Sequence, residues 1–207
     1  MIGLTVTSLA KHFETKRVFA DLSFTVTSSV LGIAGPNGSG KTTLIKCIAG
    51  LLKPSSGTVE WTIDKEPVKK QSVKHSVGFV APYVELYEEL TVFENLQFVM
   101  DIRNKPLNGS SIGDILNRFD AGGFTDQYFG SLSTGQRQRI KLAAAMIHQP
   151  RILMLDEPGS NLDSGGKEAV KSMVDQYRNP QSMVLLASNL KEELDLCDQI
   201  IELNPTS

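Results

Sequence analysis

Cysteine is nearly missing from this 207-residue chain: Cys47 and Cys197 are the two it has, far apart and without metal-ligand spacing. That excludes a disulfide framework and a zinc module, and it suits a reducing compartment. Cys47 lies in an apolar helical pattern and reads as core packing, not as a reactive thiol. An excess of one charge is missing too. The 21 Lys and Arg against 23 Asp and Glu leave a formal net charge of −2, which offers no electrostatic footing for nucleic acid. There is no long apolar run. LAAAMI, residues 142–147, is among the longest, far short of the roughly 18–20 residues that span a bilayer. Work at a membrane would therefore need a separate membrane subunit. The opening MIGLTVTSLAKHF lacks a basic start followed by an apolar core, so no secretory signal is read there.

What is present is ordinary for a globular chain: 41% hydrophobic and 21% charged residues, with no repeat and no low-complexity tract. The first third reads as strands. Residues 2–8 alternate, 19–27 are rich in Phe, Val and Thr, and the polar KHFETKR between them can turn a hairpin. Residues 30–34 form a short apolar strand that runs into GPNGSGKTT. Residues 42–52 then carry Leu44, Ile45, Ile48, Leu51 and Leu52 at helical spacing, stopping at Lys53 and Pro54. Residues 57–63 and 76–80 are further strands. From 82 to 132 the character changes to two amphipathic helical segments, 92–103 and 112–119, separated by the loop-like NKPLNGSS. A helix over 134–148, a strand over 151–155, a helix over 166–177, a strand over 182–187, a short helix over 190–196 and a strand over 199–203 follow. Strands alternating with helices predict an α/β fold built on a doubly wound, mostly parallel sheet.

Three stretches carry chemistry. GPNGSGKT, residues 35–42, fits G-x-x-x-x-G-K-[ST] after a strand and at the start of a helix, the setting the motif requires. Gly35, Gly38 and Gly40 let the backbone curl so that its N–H groups point at phosphate oxygens, and the helix adds its positive N-terminal end. Lys41 can reach the β- and γ-phosphates and Thr42 can hold Mg²⁺, with Pro36, Asn37, Ser39 and Thr43 completing the nucleotide-binding set. ILMLDEP, residues 152–158, is an apolar strand ending in two carboxylates. Asp156 suits a metal-holding role, and Glu157 suits that of general base on a water attacking the γ-phosphate. LSTGQRQR, residues 132–139, opens a helix in which Ser133 and Gln136 have capping-box spacing. The same helix start, with Gly135, can equally serve as an anion site. A fourth stretch, VLLASNLKEEL at 184–194, ends a strand in Ser188 and Asn189. Strand ends of this kind gather ligands, yet neither residue titrates near neutrality.

Together these stretches resemble the nucleotide-binding domain of ABC transporters, in order and spacing over nearly the whole chain. GPNGSGKT is similar to that family's Walker A and ILMLDE to its Walker B with the catalytic glutamate. LSTGQ is similar to its signature, with Thr134 in place of the middle glycine, and SNLD at 160–163 to its D-loop. Phe13 stands where the family places an aromatic against adenine. The resemblance implies a P-loop NTPase core, an N-terminal antiparallel β subdomain and a helical subdomain inserted at 82–132 within one domain spanning 1–207. It implies MgATP sandwiched in a head-to-tail dimer of identical or different chains, with Ser133 and Gly135 meeting the γ-phosphate held by the partner and Thr134 and Gln136 completing that nucleotide-binding stretch. It also implies a transmembrane permease subunit, a place on the cytoplasmic face of the membrane, and no nucleic-acid partner. Glu157 would be the base, Lys41 the γ-phosphate clamp, and Thr42 with Asp156 the metal holders.

Two positions depart from the pattern. The family's glutamine after the strand at 76–80 falls on Pro82, which has neither a carboxamide nor an N–H. The family's switch histidine falls on Ser188, or with a one-residue slip on Asn189. His12, His75 and His148 lie in other segments. Losing one donor aimed at transition-state charge typically costs about 10²–10³ in rate, so the expectation is retained ATP binding with slow hydrolysis, Ser188 standing in as a neutral donor. Two other readings stand beside it: a soluble ABC ATPase, and a nucleotide-gated subunit that does not hydrolyse.

Overall fold

The computed structural model describes residues 1–14, 16–27, 29–106 and 109–204. Thr15 of the expected turn and Leu107 and Asn108 of the expected loop lie outside that set. β1 (Ile2–Phe13) and β2 (Lys16–Thr27) pair antiparallel from Gly3 opposite Thr27 to Phe13 opposite Lys16, with register breaks around Leu9 and Lys11. The hairpin is the expected one, but its strands continue through the polar KHF and KR. Ladder pairing uses backbone groups, so exposed polar side chains do not end it. β4 (Ser56–Ile63) lies on the other side of β1 and β5 (Glu66–Val68) beyond it, giving the order β2-β1-β4-β5. Period-2 alternation turns Ile2, Leu4 and Val6 inward together with Val59 and Trp61.

The second sheet contains β3 (Val30–Ala34), β6 (Val77–Val80), β7 (Ile152–Asp156), β8 (Met183–Ser188) and β9 (Gln199–Glu202) in the order β6-β7-β8-β3-β9. All four pairings are parallel. Every residue of β3, β7 and β8 is buried, which accounts for their unbroken apolar runs: both faces are covered by other layers. The helices are α1 (Lys41–Ile48), α2 (Lys70–His75), α3 (Val92–Asp101), α4 (Gly109–Arg118), α5 (Thr134–Met146), α6 (Ser164–Gln176) and α7 (Lys191–Leu194). β5 and α2 have no counterpart in the sequence reading.

α1 ends earlier than its apolar spacing suggests. Gly50 turns left-handed at φ 70°, and the N–H groups of Leu51 and Leu52 both close on the Lys46 carbonyl, which terminates the helix before Pro54 is reached. One apolar core fills the space between α1, the antiparallel sheet and one face of the parallel sheet, and it includes Cys47, Trp61 and Ile33. The other lies on the opposite face. There Leu96 of α3, Leu116 of α4 and Phe119 meet Ile140 and Ala143 of α5 and Leu153 and Leu155 of β7. Residues 82–132 hold α3, α4 and two 3₁₀ turns, and no named strand among the described residues.

His148 sits just past α5 with 1% of its surface exposed. The Val77 carbonyl can only accept, so the ring donates through Nε2 at 3.1 Å, while Nδ1 has no partner. Burial, with Arg103 nearby adding to it, pushes this imidazole down to about 4 from its ordinary 6.5. The unfolded chain therefore takes up a proton in a window where the native ring refuses one, and stability falls as pH drops through it. The expected loss from this group between pH 7 and pH 5 is about 2 kcal/mol of unfolding free energy by urea titration. His148→Leu should flatten that limb, and an equally steep limb in the variant would assign it to other groups.

Candidate nucleotide site

The order β7-β8-β3 brings three strand ends to one edge. Ala34 pairs with Ser188, and Asp156 with Ala187, so the segments following all three strands emerge side by side. Ligand sites of parallel sheets form at such carboxyl edges. β3 leads directly into the glycine loop, and Gly40 is the residue from which α1 springs. There φ is 101° and an added Cβ would come within 2.6 Å of Val18 Cγ1, so only glycine suits the position. No side chain caps α1, which leaves its first N–H groups free to meet an anion.

A cleft of about 550 Å³ opens in front of this helix start. Of the residues read from sequence it collects Phe13, Asn37, Gly38, Gly40, Lys41, Thr42, Thr43 and Glu157. Gly35, Pro36 and Ser39 build the loop from behind. The Gly35 and Pro36 carbonyls accept from Lys41 Nζ at 2.8 and 3.2 Å, Ser39 N–H donates to the Pro36 carbonyl, and the Ser39 side chain is buried. Phe13 is 48% exposed and so is not a core phenylalanine; Lys11 Nζ lies 4.6 Å from its ring centroid. Lys16, Arg17 and Val18 of β2 also line the cleft. Sequence reasoning missed them, and the hairpin register that carries them there is their one signal.

Thr42 Oγ1 donates to Asp156 Oδ2 at 2.6 Å, joining residues that are 114 positions apart. Asp156 is buried, its Oδ1 has no hydrogen-bond partner, and desolvation raises its carboxyl above the ordinary range, with the Thr42 hydroxyl pulling the other way. A hydroxyl and a buried carboxylate with an unused oxygen suit Mg²⁺, which takes one or two protein oxygens and completes its shell with phosphates and water. Among the described residues no group of three or more His, Cys, Asp and Glu could hold a metal alone. Next to Asp156, Glu157 adopts a left-handed φ of 51° and brings Oε1 to 4.0 Å from Lys41 Nζ.

The other expected residues lie apart. Ser133 and Gln136 form a full capping box on α5, Ser133 and Thr134 are exposed, and none of Ser133, Thr134, Gly135 and Gln136 lines the cleft of its own chain. Ser188 is fully buried, accepts from Leu190 N–H at 3.0 Å, and does not line the cleft. Asn189, the neighbour, instead donates from Nδ2 to Asn37 Oδ1 of the glycine loop at 3.1 Å. Beyond Pro82, the Tyr83 ring lies 3.5 Å from Lys46 Nζ of α1. Its phenol is shifted upward, by burial first and by the Asp156 charge second.

A family model described as ABC transporter matches residues 19–160. The chain belongs to the ABC transporter family. Among curated ABC relatives, the ABC transporter ATP-binding protein NatA of Bacillus subtilis is 33% identical over 96% of this chain and 84% of its own. The lipopolysaccharide export system ATP-binding protein LptB of Haemophilus influenzae is 30% identical over 95% and 84%. The probable multidrug ABC transporter ATP-binding protein YbhF of Escherichia coli is 33% identical, but this chain spans only 36% of its length. It likewise spans 60% of the sulfate/thiosulfate import ATP-binding protein CysA of Synechococcus elongatus. Among solved structures, an ABC transporter ATP-binding protein from Pyrococcus furiosus superposes with a TM-score of 0.83 at 26% identity, over 99% of this chain and 100% of that one. A dimeric ATP-binding cassette shares the fold, with a TM-score of 0.86 at 22% identity over 97% and 94%. The ABC family thus accounts for both sheets and for a nucleotide-binding character of the domain. No helix among the described residues is long and apolar enough to cross a membrane.

Proposed function

We propose that this chain is the ATP-hydrolysing subunit of an ABC transporter, working as a head-to-tail dimer beneath a separate permease on the cytoplasmic face of the membrane. The meeting of Thr42 and Asp156 at 2.6 Å beneath an uncapped helix start, with Glu157 beside Lys41, carries this reading. Lys41 and the α1 N–H groups hold the phosphates, and Phe13 receives the adenine. Thr42 and Asp156 hold Mg²⁺, which supplies charge neutralisation on the phosphates when bound. Glu157 takes the proton of the attacking water. The Ser133–Gln136 stretch, with Ser133 and Thr134 exposed, faces the partner chain's nucleotide, in an identical or a related subunit.

Phosphate release from MgATP by the purified chain, with and without membranes carrying its permease, tests this reading. Release no faster than in a Glu157→Gln blank under both conditions would sink it. Phe13→Ala is expected to weaken ATP binding about tenfold, the value of one lost stacking contact of about 1.4 kcal/mol, and to weaken inorganic triphosphate binding not at all. Equal losses for both ligands would take Phe13 off the base.

One observation favours a second reading, a nucleotide-gated subunit with little turnover. The Ser188 hydroxyl is buried, accepting from Leu190 N–H and turned toward the Glu193 carboxylate, which leaves Asn189, just past β8, as the polar side chain presented to the glycine loop. ATP-dependent dimerisation without phosphate release would select that reading.

A further inference from the structure

The peptide unit joining Pro158 to Gly159 is held at both ends by buried side chains. Its carbonyl accepts from Gln138 Nε2 of α5 at 2.8 Å, and its N–H donates to Glu193 Oε1 of α7 at 2.8 Å. This unit directly follows Glu157. The Glu157 backbone sits in the left-handed region, a conformation of order 1–3 kcal/mol for a residue with a Cβ, kept only where its surroundings over-determine it. In front, Glu157 N–H donates to the Ala187 carbonyl at 2.9 Å. Behind, Ser160 closes the turn on the Glu157 carbonyl through Oγ at 2.9 Å, a bond internal to the turn. Among the described residues, Gln138 and Glu193 are the side chains that tie that rear half to other elements through hydrogen bonds on its peptide.

Glu193 is an unusual residue to bury. It is 8% exposed, and desolvation raises its carboxyl above the ordinary range, while bonds from the Ser188 side chain and the Gly159 N–H pull the other way. A buried carboxyl is costly unless it is hydrogen-bonded, and the Gly159 N–H supplies such a bond. The fit at Gly159 is also tight, since a Cβ there would meet Glu193 Oε1 at 2.4 Å. α5 begins with the LSTGQ stretch, and α7 follows directly on Ser188 and Asn189. We infer that Gln138 and Glu193 are positioning residues that lock the Pro158–Gly159 peptide and thereby aim Glu157, coupling the base to the helix that faces the partner's nucleotide and to the end of β8. The inference rests on Glu157 being the base.

Glu193→Ala, Glu193→Gln and Gln138→Leu test it, through steady-state kinetics, equilibrium binding of a fluorescent ATP analogue and amide exchange at Gly159 by NMR. Glu193→Ala should lower kcat about thirtyfold, in line with the effect of small misplacements of a reacting group, while KM and nucleotide affinity stay unchanged. Gly159 N–H exchange should accelerate at least about tenfold once its acceptor is gone. Glu193→Gln retains an acceptor oxygen for that N–H and should restore both kcat and slow exchange; Gln138→Leu should lower kcat as Glu193→Ala does. Wild-type kcat in Glu193→Ala would overturn the inference, whatever the exchange data show. So would a Glu193→Gln variant as impaired as the alanine, or a loss carried by KM. Undiminished phosphate release in Glu157→Gln is a separate failure: it would remove the base itself and leave Gln138 and Glu193 a structural role.

Discussion

Lys41→Ala is expected to weaken ATP binding by about 10²–10⁴. The Lys41 side chain is 5% exposed, and its ammonium lies among the Gly35 carbonyl at 2.8 Å, the Pro36 carbonyl at 3.2 Å and Glu157 at 4.0 Å. These are acceptors or anions, so the ammonium is the positive centre at the glycine loop itself, with Lys16 and Arg17 further along the cleft. A hydrogen bond to a charged group contributes about 1.5–3 kcal/mol, and two such contacts to phosphate oxygens give the expected loss. Alanine also leaves Glu157 unopposed near the incoming phosphates, which adds repulsion. Lys41→Arg should not rescue, because a planar guanidinium cannot occupy the compact point between two carbonyls. Isothermal titration with ATP, alongside a melting curve to confirm folding, measures this. An affinity within about threefold of wild type would mean that the α1 N–H groups alone hold the phosphates.

Most of the fold was legible because its signals are local. Apolar runs bounded by turn residues marked β3, β7 and β8, and amphipathic spacing marked α3 and α4. The misses share a cause. α1 stops at Gly50 because the chain reverses there, although apolar residues continue at the right spacing. β5 is three residues long and is stabilised by its pairing with β4, which no local pattern announces.

The site divides in the same way. Glycine loop, Lys41, Thr42, Asp156 and Glu157 are contiguous motifs, and they could be read together with their roles. Whether Ser188 or Asn189 faces the glycine loop depends on where β8 stops and which way the last peptide turns. Strand periodicity cannot settle that to one residue, since one step reverses the side chain. Lys16 and Arg17 reach the cleft through the hairpin register. Gln138 and Glu193 look, in sequence, like solvated positions on helices. Only packing shows that they grip one peptide.

Glu157→Gln is expected to reduce phosphate release by about 10²–10⁴, the range for removing a general base, while ATP affinity stays equal or rises. The amide keeps the volume and one acceptor oxygen but cannot accept a proton from water at neutral pH. It also removes one negative charge 4.0 Å from Lys41 and next to the buried Asp156, whose own carboxyl the Glu157 charge pushes upward. Both changes favour the bound triphosphate, so the variant should accumulate ATP in the dimer instead of turning it over. Size-exclusion chromatography with MgATP should then show more dimer in Glu157→Gln than in wild type, and single-turnover phosphate release should be slowed to match. The two measurements must move together. Slow release without dimer gain would mean that Glu157 acts only after assembly. Dimer gain with undiminished release would assign proton removal to another group, and Asn189 at the glycine loop, which cannot take a proton, could not be that group.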